Sequence, residues 1–177
     1  VYSVEIERRN WNLVFAGLAF WGMDWINEIW NSLVLHFTGY APVWGAPGKT
    51  AFLILVGLNI EIMFMFAIAG IAFGKMLPAR SVRVLGVPNR IFLAVANSAF
   101  CVIVEIWLNS VNALTWEYSW WSAASPLPIF LFGYLHFVLV SYWVHDMKTV
   151  RAKAITVGAI FSVAILGLAI LIPLGWI

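Results

Sequence analysis

The sequence has few charged residues. Charged side chains make up 10% of its 177 residues, whereas hydrophobic residues make up 63%. A soluble domain would carry about 25% charged residues, so this composition argues against a soluble fold and indicates an integral membrane protein. The formal net charge of +2 is also too small to indicate a nucleic-acid partner.

Cysteine and metal-binding motifs are nearly missing as well. The chain has one cysteine, Cys101, which lies in an apolar run, so no disulfide framework is expected. It has no HExxH or ExxH motif and no cluster of histidines, so we expect no metal site and no cofactor. No cleavable signal peptide is expected, because the apolar runs are too long and too many.

Five apolar segments are each long enough to cross a bilayer. A membrane-spanning helix needs about 20 mostly apolar residues, and the stretches between these segments are rich in Gly, Pro or charged residues, which end helices. The sequence therefore predicts an all-α, polytopic membrane protein that forms one transmembrane helical domain over residues 1–177. The predicted helices cover residues 12–38, 51–74, 91–114, 127–145 and 154–176.

The basic residues predict the orientation in the membrane. Nine of the ten Lys and Arg residues precede the first helix or lie between helices two and three or helices four and five, and only Lys49 falls on the other side. Cytoplasmic loops carry the excess of Lys and Arg, so we expect a cytoplasmic N-terminus. The expected location is a bacterial plasma membrane, with a multi-pass topology. The outer loops, 39–50 and 115–127, hold aromatic residues that form either an interfacial belt or a lid over a site. These are Tyr40, Trp44, Trp116, Tyr118, Trp120 and Trp121.

Two segments of the chain are similar to each other, DWINEIWNSLVLHFTGYAPVWGAP (24–47) and CVIVEIWLNSVNALTWEYSWWSAASP (101–126). The similarity predicts that helices one and two and helices three and four form an internal repeat. Because both copies run in the same direction, the axis that relates them would lie along the membrane normal. The aligned residues are Glu28 with Glu105, Trp30 with Trp107, Asn31 with Asn109 after a shift of one residue, Tyr40 with Tyr118, Trp44 with Trp121 and Pro47 with Pro126.

Polar residues follow one face of several predicted helices. Side chains at i, i+3, i+4 and i+7 share a helix face, and Asp24, Asn27, Glu28 and Asn31 have that spacing. We expect such stripes to line an interior site rather than to face lipid. The other polar residues of the predicted spans include Asn59, Glu61, Asn97, Cys101, Glu105, Asn109, Asn112, Tyr134, His136, Ser141 and Tyr142.

The cost of burying the acids supports this interpretation. One Asp at a helix centre costs about 2.5–3.5 kcal/mol to insert, so four acids would cost about 10 kcal/mol if nothing offset them. No Lys or Arg lies within a predicted span to pair with them. We therefore expect that at least one acid is protonated or that a bound cation neutralises the set. Helix association alone does not need acids, since Asn, Ser and Thr form similar hydrogen bonds without the ionisation penalty.

Aromatic residues surround the predicted acidic site. Phe, Trp and Tyr make up 16% of the chain, which has 11 Trp. A protonated carboxylic acid in an apolar pocket can act as a general acid, and aromatic faces attract cations. The pattern predicts acid-catalysed carbocation chemistry on a lipophilic isoprenoid. The candidate catalytic residues are Glu28, Glu105, Asp24 and Glu61, and the candidate substrate-binding residues are Asn31, Asn109, Trp25, Trp30, Trp107, Tyr134 and His136.

Two of the predicted helices resemble a known family. In the segments LAFWGMDWINEIW (18–30) and ANSAFCVIVEIW (96–107), an acid follows an apolar and aromatic stretch with Asn and Trp nearby. This pattern is similar to the integral-membrane terpene cyclases of meroterpenoid pathways. The resemblance implies two acids from different helices, one of which protonates an epoxide or a terminal alkene. Glu28 or Asp24 and Glu105 would match those acids, and the protein would be a cyclase or isomerase without a cofactor.

Other functions stay open at this point. Intramembrane carboxylates and asparagines also mark ion paths, which would fit a proton- or ion-coupled transporter or channel subunit. Oxygen ligands from the acids, together with His136, would suit a divalent metal ion. A non-catalytic subunit that binds lipid or pigment is a further alternative. The expected partners are a lipophilic small molecule and membrane lipid, with a homo-oligomer or a larger membrane complex as further possibilities.

Overall fold

The structure is a computed structural model that describes residues 1–50 and 52–177. Six helices and three short two-stranded ladders make up the regular structure of these residues. The helices are α1 (Tyr2–Glu7), α2 (Trp11–Thr38), α3 (Ile60–Lys75), α4 (Asn89–Ser110), α5 (Pro126–Asp146) and α6 (Val150–Leu171). The strands are β1 (Trp44–Gly45), β2 (Leu53–Leu55), β3 (Leu58–Asn59), β4 (Arg83–Val84), β5 (Val87–Pro88) and β6 (Thr115–Trp116).

Among the described residues, three helices are long and apolar enough to cross a membrane, namely α4, α5 and α6. The chain is thus mostly helical and has the helices of a membrane protein. Helix α2 is longer, with 28 residues, but it carries several polar side chains, including Asp24 and Glu28. Helix α3 has 16 residues, which is short of the roughly 20 that a bilayer requires. Length and composition alone therefore identify three spans rather than the predicted five.

The second helix is shorter than the sequence predicts. The prediction covers residues 51–74, of which Ala51 lies outside the described residues, and residues 52–59 form β2, a turn and β3 instead of helix. Helix α3 starts after Asn59, whose side-chain oxygen accepts a hydrogen bond from the backbone N–H of Ile62 at 2.8 Å. An Asn at this position satisfies one of the free N–H groups of the first helical turn, and this fixes the start of α3.

The last two predicted helices shift by only a few residues, and α4 ends earlier than predicted. Helix α4 stops at Ser110, whereas the prediction continues to residue 114. Asn112, just beyond the helix end, has a left-handed φ of 59°, a conformation that a helix cannot continue through. Helix α6 begins at Val150, earlier than predicted, because the Thr149 hydroxyl accepts a hydrogen bond from the backbone N–H of Ala152 at 3.1 Å.

Helix α2 lies at the centre of the fold. It packs against α3, α5 and α6, whereas α4 packs mainly against α5. Its 28 residues extend for about 42 Å at 1.5 Å per residue, and it ends at Gly39, whose left-handed φ of 58° suits glycine. The buried face of α2 is apolar near its start, at Leu13 and Phe20, and acidic near its middle, at Asp24 and Glu28. The polar stripe of α2 therefore points into the protein.

Helix α5 contains a π-helical segment, Ile129–Leu135. Segments of this kind widen the helical turn and often occur at functional sites. Two buried residues of the segment, Gly133 and Tyr134, line the cavity described below. A Cβ atom at Gly133 would lie 3.4 Å from the ring of Trp121, an ordinary van der Waals contact, so Trp121 packs directly against this part of α5.

The loops that follow α2 and α4 close one end of the protein. Strands β1 and β6 pair in antiparallel fashion, with Trp44 opposite Trp116. The Tyr118 hydroxyl donates a hydrogen bond to the carbonyl of Ala41 at 3.0 Å. These contacts join two loops that lie far apart in the sequence and hold them over the ends of α2 and α4.

Ion pairs hold the opposite end, where most of the basic residues lie. The guanidinium of Arg90 donates two hydrogen bonds to the carboxylate of Asp146, at 2.9 and 2.8 Å, and thereby links α4 to the end of α5. Lys75, at the end of α3, contacts Glu5 of α1 at 2.6 Å. The two-residue turn between β4 and β5 joins α3 to α4 at this end. This is the end that the charge distribution predicts to be cytoplasmic.

Candidate functional site

A cavity of about 480 Å³ lies among α2, α3, α4 and α5. Its volume is within the range of sites that bind small molecules. Most of its wall is apolar or aromatic, and its acidic lining residues are Asp24, Glu28 and Glu105. Three of the four acids predicted to be catalytic therefore lie on one cavity. The described residues that line it include no Lys, Arg or His.

Glu28 is held by the loop after α2. One carboxylate oxygen, Oε1, accepts a hydrogen bond from the indole N–H of Trp44 at 2.9 Å. The other oxygen, Oε2, is buried and has no hydrogen-bond partner. The backbone of Gly57 lies so close that a Cβ atom there would be 2.6 Å from Oε2. The carboxyl group is therefore fixed through Oε1, whereas Oε2 is packed against the loop at Gly57.

Asp24 lies one helical turn before Glu28 on the same face of α2. Its side chain is 2% exposed, and its Oδ2 atom also has no hydrogen-bond partner. Asp24 and Glu28 interact electrostatically, and Glu28 interacts in the same way with Glu105. The three carboxyl groups thus form one interacting set without a cationic neighbour in the cavity wall.

Glu105 enters the cavity from the opposite side, on α4. Its Oε1 atom accepts a hydrogen bond from the indole N–H of Trp116 at 3.2 Å, and Tyr134 of the π-helical segment is a second polar neighbour. Glu28 and Glu105 therefore have matching environments. Each carboxylate sits on a long helix and accepts a hydrogen bond from a tryptophan in the loop that follows that helix.

The two predicted asparagines hold these loops and do not line the cavity. The Asn31 amide is completely buried; it donates to the Trp44 carbonyl at 2.7 Å and accepts from the backbone N–H groups of Val43 and Trp44 at 2.7 and 3.2 Å. Asn109 donates to the carbonyl of Leu114 at 3.1 Å. Both side chains therefore position the tryptophan-bearing loops rather than contact a ligand.

The tryptophans predicted to bind substrate lie outside the cavity lining. Trp25 packs in a separate apolar cluster with Ile29 and Leu58. Trp30 is 39% exposed and packs on Trp44, and Trp107 is 61% exposed.

The tryptophans that do line the cavity are Trp44 and Trp121, whose rings stack with their centroids 5.2 Å apart. Both are among the outer-loop aromatics predicted to form either an interfacial belt or a lid over a site, but not among the candidate substrate-binding residues. The alignment of Trp44 with Trp121 in the internal repeat was the signal that could have identified them.

Glu61 and His136 are likewise separate from the cavity wall. Glu61 is exposed near the start of α3, where its Oε2 atom accepts a hydrogen bond from the Thr50 hydroxyl at 2.5 Å. His136 is half-buried, and its Nδ1 atom lies 3.2 Å from the carbonyl oxygen of Leu131. No group of three or more His, Cys, Asp or Glu residues in the described chain has the arrangement of a metal site.

The fold and the cavity define a helical membrane protein with an internal, acid-lined, apolar chamber. The chain belongs to an uncharacterized membrane protein family, whose model matches residues 1–173. It is 62% identical over 155 residues to a protein of Archaeoglobus fulgidus (strain ATCC 49558) named "Uncharacterized protein", an alignment that covers 87% of this chain and 74% of the relative. A second protein of the same name and organism is 55% identical over 53 residues, which are 29% of this chain and 95% of that relative. No solved structure matches the chain.

These comparisons correct two sequence-based expectations. The resemblance to integral-membrane terpene cyclases is wrong, because the family that matches residues 1–173 is a different one and nothing in it indicates such a cyclase. The resemblance depended on two short segments with an acid and a tryptophan on an apolar helix, and any helix with an interior acid can have that pattern. The relatives are archaeal, so the comparisons give no support to a bacterial plasma membrane, although a membrane location agrees with the family and the apolar helices.

Proposed function

We propose that this protein binds a lipophilic molecule in the cavity and isomerises it by proton transfer between buried carboxyl groups. One observation carries the proposal: Asp24, Glu28 and Glu105, from two helices, converge on an apolar cavity whose lining residues include no basic side chain. Buried acids without a cationic partner are costly in a membrane. Three such acids on one ligand-sized cavity therefore favour a role in ligand binding or proton transfer over a role in helix packing.

The arrangement suits the movement of a double bond. Three interacting carboxyl groups in an apolar site cannot all carry a charge, so the set holds at least one acid and can also hold a carboxylate. In an isomerisation, the acid donates its proton to one alkene carbon, and a carboxylate removes a proton from the carbon next to the resulting cation. The double bond shifts, one proton is gained and one is lost, and no oxidant or cofactor takes part. Glu105 lies on one wall, and Asp24 and Glu28 lie on the other. These two walls would provide the proton donor and the proton acceptor.

Aromatic rings in the cavity wall would stabilise the cation that forms between the two proton transfers. The rings of Phe66 and Tyr134 are parallel with centroids 6.2 Å apart, and Trp44 and Trp121 stack beside Glu28. Aromatic faces attract cations by about 0.5–2 kcal/mol each, and fixed groups in a dry site are effective because they need no reorganisation.

The proposed topology has five membrane-crossing helices in one domain, with the ion-paired end in the cytoplasm. Helix α2 can cross although it carries acids, because Asp24 and Glu28 point into the protein. Helix α3 can cross together with the preceding hairpin, which extends it at the outer end. The proposed partners are a lipophilic small molecule and membrane lipid, which would cover the exposed aliphatic face of α6. A homo-oligomer or a larger complex is compatible with that face.

We also propose that the chain contains a repeat of two units, α2–α3 and α4–α5. Glu28 and Glu105, which the alignment pairs, both line the cavity and each accept a hydrogen bond from a tryptophan of the following loop, and this supports the repeat. The tryptophans themselves are Trp44 and Trp116, whereas the alignment pairs Trp44 with Trp121. The pairing of β1 with β6 also joins the two units. A two-unit arrangement would explain why the cavity has one glutamate from each half.

Hydrogen exchange into lipids tests the proposed reaction without knowledge of the substrate. The purified chain would be placed in nanodiscs made from a total archaeal lipid extract and incubated in D2O. The lipids would then be extracted, washed with light water and analysed by mass spectrometry for carbon-bound deuterium. We expect one lipid species to gain deuterium with the wild type. The variants Glu28→Gln and Glu105→Gln should slow this exchange by about 10²–10⁴-fold, the usual contribution of general acid–base catalysis.

The matched control is Glu61→Gln, which removes an acid of α3 that does not line the cavity. This variant should exchange at the wild-type rate. If the double variant Glu28→Gln/Glu105→Gln exchanges as fast as the wild type, or if no lipid gains deuterium with any of the proteins, the proposed reaction is wrong.

A further inference from the structure

The cavity is open on one side, between α3 and α4. These two helices are joined by the β4–β5 hairpin at the ion-paired end, and they make no extensive packing contact along the described residues. Helix α3 packs on α2 and α5, and α4 packs on α5, so the two helices form the sides of a gap that leads to the cavity. In a membrane this gap faces the hydrocarbon region.

The sides of the gap are apolar and partly exposed. From α3 they include Met65, Ile68 and Ala72, and from α4 they include Phe100 and Val104. Met65, Ile68 and Phe100 are 43%, 47% and 58% exposed, although they also line the cavity. The wall of the cavity is therefore continuous with the lipid-facing surface of the protein.

Both ends of the cavity along the membrane normal are closed by aromatic packing. At the outer end, Trp44 and Trp121 stack under the paired strands β1 and β6. At the inner end, Phe20 packs against Phe73 and Phe137, each with its ring centroid 5.7 Å away. A ligand from the aqueous phase would have to displace these rings, whereas a ligand from the bilayer would pass only apolar side chains.

The inner wall determines which kind of molecule fits. Asp24, Glu28 and Glu105 line the cavity, and their carboxyl groups can hydrogen-bond to one small polar group of a ligand. No Lys, Arg or His among the described lining residues could bind a phosphate or carboxylate, and the closed ends leave no space for a large head group. An anionic lipid is therefore disfavoured by charge, and a phospholipid is disfavoured by size.

We propose that the substrate is an uncharged, bilayer-dissolved molecule with a hydroxyl or carbonyl group at one end and an apolar chain. It enters sideways between α3 and α4, places its polar end against the carboxyls of α2, and leaves its chain in the gap. This inference rests on the proposed function, since it names the substrate class of the same site, but it concerns the route and the ligand rather than the reaction.

Photolabelling tests the route and the ligand class. The full chain in nanodiscs would be irradiated with a long-chain alcohol that carries a diazirine beside its hydroxyl group, and the modified residues would be mapped by mass spectrometry. Carbenes insert readily at carboxyl groups, so we expect adducts on Asp24, Glu28 or Glu105. A phosphate ester of the same alcohol should leave these residues unmodified.

Two variants would obstruct the gap from opposite sides. Ala72→Trp on α3 and Val104→Trp on α4 should each reduce labelling of the three carboxyls by about tenfold, which corresponds to 1.4 kcal/mol of binding free energy. The matched control is Ile155→Trp, on the exposed surface of α6 and outside the cavity lining. It should label as the wild type does. Thermal unfolding of each variant identifies any variant that fails to fold. The comparison of the alcohol probe with its phosphate ester uses the wild-type chain and therefore tests the ligand class without any variant.

The outcomes separate this inference from the proposed reaction. Labelling of the carboxyls that both gap variants reduce supports the route, even if no deuterium exchange occurs. Deuterium exchange that the folded gap variants leave unchanged would overturn the route and keep the reaction. Equal labelling by the phosphate ester, or stronger labelling by the corresponding amine, would overturn the uncharged ligand. If the acids are not labelled and Ala72→Trp instead changes the oligomeric state, a second copy of the chain fills the gap and the inference is wrong.

Discussion

Gly57 is the position where the smallest substitution should most disturb the acidic site. A Cβ atom at this residue would lie 2.5 Å from Nε1 of Trp44 and 2.6 Å from both Nδ2 of Asn31 and Oε2 of Glu28. None of the three side chains can withdraw easily. Asn31 is bound to the backbone of the loop, and Trp44 is bound to Glu28 and stacked on Trp121. Overpacking of this kind typically costs about 1–3 kcal/mol.

The assay is thermal unfolding of purified Gly57→Ala in detergent, followed by tryptophan fluorescence. For a chain of this size, 1 kcal/mol corresponds to about 2–4 °C in Tm, so we expect a decrease of about 2–12 °C. The control is Gly48→Ala in the same loop, because a Cβ atom there has no atom within 4 Å. If the two alanine variants unfold at the same temperature, Gly57 does not pack against Glu28 as described, and the loop is not the support of this carboxyl.

Two further predictions concern the loop and the ion-paired end. Asn31→Ala should lower the free energy of unfolding by about 1–3 kcal/mol, because the buried backbone N–H of Val43 loses its hydrogen-bond acceptor. Denaturant unfolding measures this, with Asn27→Ala as the control, since the Asn27 side chain makes one long contact of 3.4 Å. Equal stability of the two variants would contradict the prediction. The hydrogen bond from Lys75 lowers the pKa of Glu5, against the opposing effect of burial. A lowered pKa means that the stabilisation is present above the pKa of the unfolded chain and is lost as the pH falls through the folded-state pKa. Glu5→Gln should therefore lower Tm at neutral pH, and its difference from the wild type should shrink in acid below the ordinary Glu pKa of about 4.3; a difference that does not change with pH would refute the pairing.

The general character of the fold could be predicted from composition and residue spacing. The scarcity of charge and the long apolar runs predict a helical membrane protein, and α4 and α5 lie close to their predicted positions. The four-residue spacing of Asp24 and Glu28 predicts that they share a face, and both are buried. Glu105 follows from the same reasoning on α4. An ionisable residue in an apolar helix indicates a functional site, because its burial in the membrane is costly.

Other features depend on tertiary contacts that the sequence does not encode locally. The run FLILVGLN at residues 52–59 is as apolar as a helix, yet it forms a hairpin whose turn residue Gly57 lies against Trp44 and Glu28. The π-helical segment of α5 has no sequence pattern of its own. Trp30 and Trp107 are adjacent to the acids in sequence, yet they lie on the outward side of their helices. The loop tryptophans reach the acids only after the chain reverses direction.

We infer that Asp24, Glu28 and Glu105 share a secluded, lipid-accessible cavity in which at least one of them keeps its proton. Hydrophobic carbodiimides dissolve in the bilayer and react with protonated carboxyl groups, whereas a water-soluble carbodiimide does not reach that region. Membranes containing the wild-type chain would be treated with each reagent, and the adducts would be mapped by mass spectrometry. We expect the hydrophobic reagent to modify one or more of the three acids and the water-soluble reagent to modify none of them. Modification only of acids outside the cavity lining, such as Glu61 and Glu117, with all three cavity acids unmodified by the hydrophobic reagent, would contradict it.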